Sequence, residues 1–114
     1  KQFPYGDPKL PFRAGVAILF LAPEKSGFPK SDELIIFEKI EDRLSNYLQS
    51  HSVGVLAAVV TTNGMREFMM YVKSEDQFKG LVKDLAKAFP KYQVTHYVEE
   101  DSGWTGYRFL VPEK

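Results

Sequence analysis

The segment VGVLAAVVTTNGMREFMMYVK, which spans residues 53–73, constrains the fold more than any other part of the chain. It contains two apolar runs joined at Asn63-Gly64. Both central residues of a type I′ turn need a positive φ, and Asn and Gly tolerate this conformation best. The pattern therefore predicts a β-hairpin with a two-residue turn at Asn63-Gly64.

The turn also predicts which hairpin residues lie opposite one another. In order from the turn, the expected pairs are Thr62 with Met65, Thr61 with Arg66, Val59 with Phe68, Ala57 with Met70, and Val55 with Val72. The face with Val59 and Phe68 is apolar nearly to the tip, and we assign it to the helices. The opposite face carries Leu56, Ala58, Val60, Met69 and Tyr71, interrupted by Glu67. A sheet face this apolar is normally covered by other residues or by a binding partner and not exposed to solvent.

Two amphipathic helices flank the hairpin. The first is expected from Ser31, its predicted N-cap, to about Gln49, with apolar residues at intervals of three and four. The second starts at the capping box Ser74-Glu75-Asp76-Gln77, in which the Ser and Gln side chains satisfy free backbone donors. It ends at Pro90. Each helix therefore presents one apolar stripe to a sheet.

Two more strands complete that sheet. Residues 12–21 are nearly continuous in apolar residues, which is typical of a central strand buried on both faces. Residues 92–99 alternate between apolar and polar, which predicts a half-buried strand at or near an edge. The first hairpin strand is also expected at an edge, and an edge strand this apolar usually acquires a partner.

The order strand, helix, strand, strand, helix, strand predicts an α+β fold. It matches the ferredoxin-like βαββαβ sandwich, in which a four-stranded antiparallel sheet carries both helices on one face. We expect an irregular N-terminal arm over residues 1–11 and a single ferredoxin-like domain over residues 12–114.

The tail from residue 101 to residue 112, DSGWTGYRFLVP, fits two structures. Aromatic and apolar residues recur every three positions, which favours a short helix or 3₁₀ turn capped by Asp101 or Ser102. Residues 108–111 also fit a final strand. In either structure we expect Trp104 to fix the tail to the domain.

Composition excludes several classes of function. Fifteen basic residues balance fifteen acidic ones, and no Lys/Arg cluster longer than a pair forms a basic patch. The longest apolar run, residues 14–22, is shorter than the roughly 20 residues that cross a bilayer as a helix. We therefore expect neither nucleic acid nor a membrane as partner. The chain has no Cys, and its start lacks both Met and the order of a signal peptide, so we expect a cytoplasmic protein trimmed or excised from a longer chain.

Residues able to carry catalysis are sparse. His51 and His96 are the only histidines and lack metal-ligand spacing, and the acidic run at residues 99–101 is most simply a solvated turn. The sequence contains no Gly-rich phosphate loop, nucleophile elbow or zinc spacing. It therefore predicts no catalytic residue, no metal site and no cofactor.

The hairpin tip carries the polar cluster that most suggests a ligand. Thr61 and Asn63 lie beside Arg66, whose guanidinium would hold a carboxylate or phosphate through two hydrogen bonds. The simpler interpretation is turn chemistry together with a surface ion pair between Arg66 and Glu67.

Several motifs also carry a family resemblance. They are Gly27-Phe28-Pro29, Ile40-Glu41-Asp42 with Leu44, VVTTNGMREFMMYV from Val59, and DSGWTGYRFLVP from Asp101. With these motifs the chain resembles the bacterial domain-of-unknown-function family 695 (DUF695) from about Phe12 onward. That family is similar to the ribonuclease E inhibitor group, regulator of ribonuclease activity B, which has a ferredoxin-like fold and binds a protein partner. The resemblance implies regulatory binding without catalysis, although the inhibitor group is strongly acidic and this chain is neutral.

Two functions follow as hypotheses. The first is a non-catalytic interaction or regulatory module that binds a protein partner or forms a homodimer through the open sheet face or the hairpin edge. Its expected surface consists of Leu56, Ala58, Val60, Glu67, Met69, Tyr71 and Tyr97. The second is a domain that binds an anion or small molecule, or acts on one, around Arg66. Its expected residues are Thr61, Asn63, Arg66, Glu67, Tyr71, His96 and Tyr97.

Overall fold

The computed structural model describes residues 5–21 and 23–110, without the side chains of residues 109 and 110. In chain order the elements are β1 (Phe12–Leu19), α1 (Ser31–Ser50), β2 (Gly54–Thr62), β3 (Met65–Val72), α2 (Glu75–Ala88), β4 (Val94–Glu100) and α3 (Thr105–Leu110). Residues 1–4 of the predicted arm, Ala22 of the predicted first loop, and residues 111–114 of the tail lie outside the described residues.

The strands form an antiparallel sheet in the order β2-β3-β1-β4. α1 and α2 pack on the same face, where their apolar stripes meet alternate residues of β1 and β3. Fully buried residues of this core include Val16, Phe37, Ile40, Phe68 and Phe78. The predicted α+β, ferredoxin-like βαββαβ arrangement is confirmed. The central position of the first strand and the edge positions of β2 and β4 are confirmed as well.

The two main helices begin differently. At α2 the side chain of Ser74 accepts the backbone N–H of Gln77 at 3.2 Å, which confirms the predicted cap. At α1 the N-cap is Lys30, which makes no capping hydrogen bond with its side chain. Ser31 is already the first helical residue, so the prediction of Ser31 as N-cap is wrong.

β1 ends two residues earlier than predicted because the chain leaves the ladder after Leu19. The backbone N–H of Leu21 donates to the Glu33 carboxylate at 2.6 Å. Glu33 also accepts the Tyr92 hydroxyl at 2.9 Å and is only 7% exposed. Leu19 is 48% exposed, so the prediction that this strand is buried on both faces is wrong at its end.

The hairpin turn has a different geometry from the predicted one. Gly64 has a φ of 84°, whereas Asn63 does not have a positive φ, since Ser52 and Trp104 are the only non-glycine residues of the described chain that do. A negative φ followed by a positive one is the type II pattern, so the predicted type I′ turn is wrong. The N–H of Gly64 donates to the Gly27 carbonyl at 2.9 Å, which docks the turn onto the β1–α1 loop.

A β-bulge in β2 changes the register of the hairpin. The pairs nearest the turn, from Thr62 with Met65 to Val59 with Phe68, are as predicted. Beyond a register shift between Leu56 and Ala58, the pairs are Leu56 with Met70, Val55 with Tyr71 and Gly54 with Val72. The predicted pairs Ala57 with Met70 and Val55 with Val72 are therefore wrong. One extra residue reverses the faces of the strand before it, so Leu56 packs on the helix side and Val55 on the opposite side.

The face opposite the helices, which we call the open face, carries a second apolar cluster of Leu10, Met69, Tyr71 and Trp104. The Trp104 ring stacks on Tyr71 with ring centroids 3.9 Å apart and planes at 6°. Its Nε1–H donates to the Leu10 carbonyl at 3.1 Å. These contacts confirm the expected role of Trp104, and α3 confirms the helical alternative for the tail over residues 105–110.

A membrane-spanning helix would need a long apolar stretch, and no helix in the described part of the chain has one.

Candidate functional site

The open face is less accessible than the sequence predicts. Met69 and Tyr71 are 1% and 0% exposed because Leu10 and Trp104 cover them. Leu56 lies on the helix face because of the bulge. These three residues therefore do not belong to an accessible open-face surface. The remaining residues of the predicted surface, Ala58, Val60, Glu67 and Tyr97, are partly exposed.

Arg66 and Glu67 point to opposite faces because adjacent strand residues alternate. The Arg66 Nε–H donates to Thr61 Oγ1 at 2.9 Å, and its guanidinium lies 5.7 Å from the ring centroid of Phe37 on the helix side. Glu67 instead accepts a hydrogen bond from Tyr97 on the open face. The predicted ion pair between Arg66 and Glu67 is therefore wrong.

Two other residues of the predicted ligand clusters also lie away from the open face. His96 lies opposite buried Val16 in the ladder, with its ring centroid 6.0 Å from that of Phe78. Asn63 lies at the turn and packs closely against Gly27. A Cβ added to Gly27 would lie 2.0 Å from the Asn63 Oδ1. The structure thus divides the cluster predicted around Arg66 between two faces and the turn.

A cleft of about 460 Å³ on the open face brings a different set of polar residues together. Its lining residues are Arg13, Glu67, Met69, Tyr97, Glu99, Glu100, Asp101, Thr105 and Gly106. Glu67, Glu99 and Asp101 supply three carboxylates and Arg13 one guanidinium, so this surface is acidic. We call it the Arg13 cleft.

Tyr97 lies flat in the Arg13 cleft because Gly15, its partner in β1, has no side chain. A Cβ at Gly15 would lie 2.2 Å from the Tyr97 Cε1, so the ring rests directly on the β1 backbone. The Tyr97 hydroxyl donates to the Glu67 carboxylate at 2.8 Å. Burial, together with this hydrogen bond, raises the pKa of Tyr97 above its ordinary value, so the hydroxyl remains a donor at neutral pH.

Arg13 is held from three sides. Its Nη2 pairs with the Glu99 carboxylate, and its guanidinium lies 5.5 Å from the Tyr97 ring centroid. Its Cδ packs on Gly106, where an added Cβ would lie 2.6 Å away. Burial lowers the pKa of Arg13, but the hydrogen bond with Glu99 and nearby charges outweigh burial and raise it overall. Its Nε is buried without a hydrogen-bond partner among the described residues. Arg13 is therefore a fixed positive charge.

Asp101 connects the Arg13 cleft to α3. Its carboxylate accepts the Tyr71 hydroxyl at 2.7 Å and the N–H groups of Thr105 and Gly106, each at 2.9 Å. Burial acts to raise the pKa of Asp101, but these hydrogen bonds and Arg13 lower it below its ordinary value. Asp101 satisfies the free N–H groups at the start of α3, which confirms the predicted capping role.

Sequence reasoning missed Arg13 as a residue of this face. The available signal was one charged residue in an otherwise apolar strand, followed two positions later by Gly15. Among the described residues no group of three or more His, Cys, Asp or Glu is arranged to hold a metal ion. With a fixed cation and satisfied carboxylates, the Arg13 cleft suits noncovalent binding of a charged group.

The two edges of the sheet form a second candidate site because they differ in charge. β4 exposes His96, Glu99 and Glu100. β2, with the sequence GVLAAVVTT, has no charged residue among its nine, and its Val59 is 38% exposed. Charged side chains on an edge oppose the addition of another strand, whereas an uncharged edge permits it.

Comparison with family models places these features in a known family. Residues 5–111 match the model of DUF695, described as a family of unknown function. The chain belongs to the DUF695 family. The matched range includes the Arg13 cleft and both sheet edges, so both candidate sites lie within the DUF695 domain. No curated protein gives a significant match to this DUF695 chain.

Proposed function

We propose that this DUF695 domain is a non-catalytic protein-interaction module that binds a partner by strand addition along β2. The difference between the two sheet edges carries the proposal, since β4 exposes three ionisable side chains and β2 none. In an antiparallel ladder every second residue of an edge strand directs its N–H and C=O away from its neighbour. The edge of β2 therefore offers backbone hydrogen-bonding groups to an extended segment.

The bulge limits the binding segment to the second half of β2. Bulges are one means by which proteins protect edge strands, and the register shift at Ala57 protects the first half. From Ala58 to Thr62 the pairing with β3 is regular. Ala58 and Val60 belong to the predicted interaction surface, so an added strand would use part of that surface as well as the edge. We expect the bound segment to be extended and uncharged.

The resemblance to the ribonuclease E inhibitor group supports a protein partner as the class of ligand. That group is strongly acidic, whereas this chain has no net charge, so we do not expect a basic partner surface. The expected partner is a cytoplasmic protein rather than nucleic acid or a membrane.

Titration of the ¹⁵N-labelled chain with the strand-forming peptide KTVTVTVK tests this function. We expect chemical-shift changes and slower amide exchange that are confined to residues 58–62. β4 serves as an internal control and should not respond. The peptide KTVTPTVK is the matched control, because its central Pro removes a backbone donor and disfavours a strand. An equal response to both peptides, or a response in β4 but not in β2, would contradict strand addition at β2.

Small-molecule binding in the Arg13 cleft is a second candidate function. Its support is a cleft of about 460 Å³ in which Tyr97 and Arg13 are already held by Glu67 and Glu99. Three carboxylates, from Glu67, Glu99 and Asp101, against one guanidinium favour a cationic ligand over the anion that the sequence suggested at Arg66. A thermal shift with putrescine that Glu67→Gln abolishes would support this function. A shift with inorganic phosphate instead, or with neither compound, would contradict it.

A further inference from the structure

We propose that the partner of the β2 edge is a second copy of this chain, so that two four-stranded sheets join into one. This inference rests on the proposed strand addition and names its partner. A two-fold axis near Val60 would place β2 antiparallel to the β2 of the second copy. Closed two-fold dimers of this kind use the same surface patch on both subunits.

Charge is the first reason for this partner. A two-fold interface brings a strand next to its own sequence, so charged residues there meet like charges. The segment AVVTT at residues 58–62 carries no charge, so two copies of it can pair without repulsion between like charges. Self-pairing of β4 would instead bring Glu99 and Glu100 towards their counterparts. The whole chain has no net charge, so long-range repulsion does not oppose association either.

The side chains of the segment also fit this symmetry. With the axis at Val60, that residue faces its counterpart, Val59 faces Thr61, and Ala58 faces Thr62. β-Branched side chains pack well against neighbours on a pleated surface, and the exposed part of Val59 would be covered. The bulge determines where the axis lies, because Val60 is the middle residue of the regular stretch that follows the register shift.

Sedimentation velocity tests this inference with two matched variants. We expect the 13.0 kDa chain to sediment at twice its mass. Val60→Lys should shift it to a monomer, since two lysines would meet at the axis. Val60 lies opposite Glu67 in β3, so the lysine faces a carboxylate within its own chain, and circular dichroism should show an intact fold. Thr95→Lys places the same residue on the β4 edge and should leave the dimer unchanged.

Mixing two variants tests the position of the axis. Val60→Glu should also be monomeric, with its fold checked by circular dichroism because it faces Glu67 in its own chain. An equimolar mixture of Val60→Lys and Val60→Glu should restore the dimer because opposite charges then meet. Any of three results would overturn the proposal that the partner is a second copy. They are a wild-type chain that stays monomeric at millimolar concentration, a dimer that Val60→Lys leaves intact, and a mixture that stays monomeric. If the chain is monomeric but residues 58–62 still respond to KTVTVTVK, strand addition at β2 stands and only the second copy as partner is wrong. If those residues do not respond either, both proposals are wrong.

Discussion

Replacement of Gly15 by alanine should destabilise the domain only while Tyr97 is present. The φ of Gly15 is not positive, so its backbone conformation accepts alanine. The new Cβ would nevertheless lie 2.2 Å from Cε1 and 2.7 Å from the hydroxyl oxygen of Tyr97. Two atoms do not pack at such distances, and the ring is more easily moved than the β1 backbone. Tyr97 should therefore leave its position on β1.

The expected loss follows from the contacts that the displaced ring gives up. Its hydroxyl loses the hydrogen bond to Glu67, whose net contribution is about 0.5–1.5 kcal/mol. Arg13 loses its position over the ring, which contributes about 0.5–1 kcal/mol at an exposed site. Alanine is better than glycine inside a strand by about 0.5–1 kcal/mol, which offsets part of the loss. The free energy of unfolding should therefore fall by about 1 kcal/mol.

A double-mutant cycle measured by urea denaturation isolates this effect. In a Tyr97→Ala background the new methyl group meets no ring, so Gly15→Ala should raise the free energy of unfolding by about 0.5–1 kcal/mol. Gly103→Ala is the matched control, because the nearest atom to its Cβ is the Thr105 hydroxyl oxygen at 3.8 Å. It should change little between the two backgrounds. Equal effects of Gly15→Ala with and without Tyr97 would refute the placement of the ring on β1.

Three further changes test other parts of the domain. Trp104→Ala removes a fully buried ring and its hydrogen bond to Leu10, and should lower the free energy of unfolding in urea by about 3–5 kcal/mol; a loss typical of exposed sites would contradict its role as an anchor. The pKa of Asp101 is lowered in the folded state, so its carboxylate stabilises the fold above its unfolded pKa of about 3.9, and this stabilisation is lost as the pH falls through the folded pKa. Urea denaturation of wild type and Asp101→Asn should therefore give a difference that is constant near neutral pH and shrinks below about pH 4, and a pH-independent difference would contradict this role. Ser74→Ala should cost about 1 kcal/mol because it removes the α2 cap, whereas Ser31→Ala removes no cap and should cost much less in the same assay.

Most elements could be predicted because local signals and the global fold agree. The capping box at Ser74, the alternation in β4 and the three-and-four spacing in α1 each point to the structure that forms. The bulge at Ala57 has no such signal. Ala57 and Ala58 are equally small, so neither register is sterically excluded by the strand itself. The register decides that Leu56 packs on the helix side and Val55 against the cluster of Leu10 and Trp104, and the residues that select it are distant in sequence.

The polar groups of the open face could not be assembled from sequence for a related reason. Arg66 stands out locally beside Thr61, but these two residues bond to one another on the helix side. Arg13 looks isolated within an apolar strand. Its surroundings depend on the pairing of Gly15 with Tyr97, two residues that are far apart in the chain and meet only through the β1–β4 register. Such a site becomes visible once strand order and register are known.

The cover on the open face also bears on the β2 edge. Trp104 and Leu10 cover Met69 and Tyr71 on the open face. Ala58 packs against the same cluster, so this contact orders β2 before any strand is added. An edge that is already ordered loses little conformational freedom on binding, which leaves more of the interaction free energy as affinity. Trp104→Ala should therefore weaken association at β2 even at temperatures where the variant remains folded. If the variant were folded and associated as tightly as wild type, the rigidity of the edge would not depend on this cover.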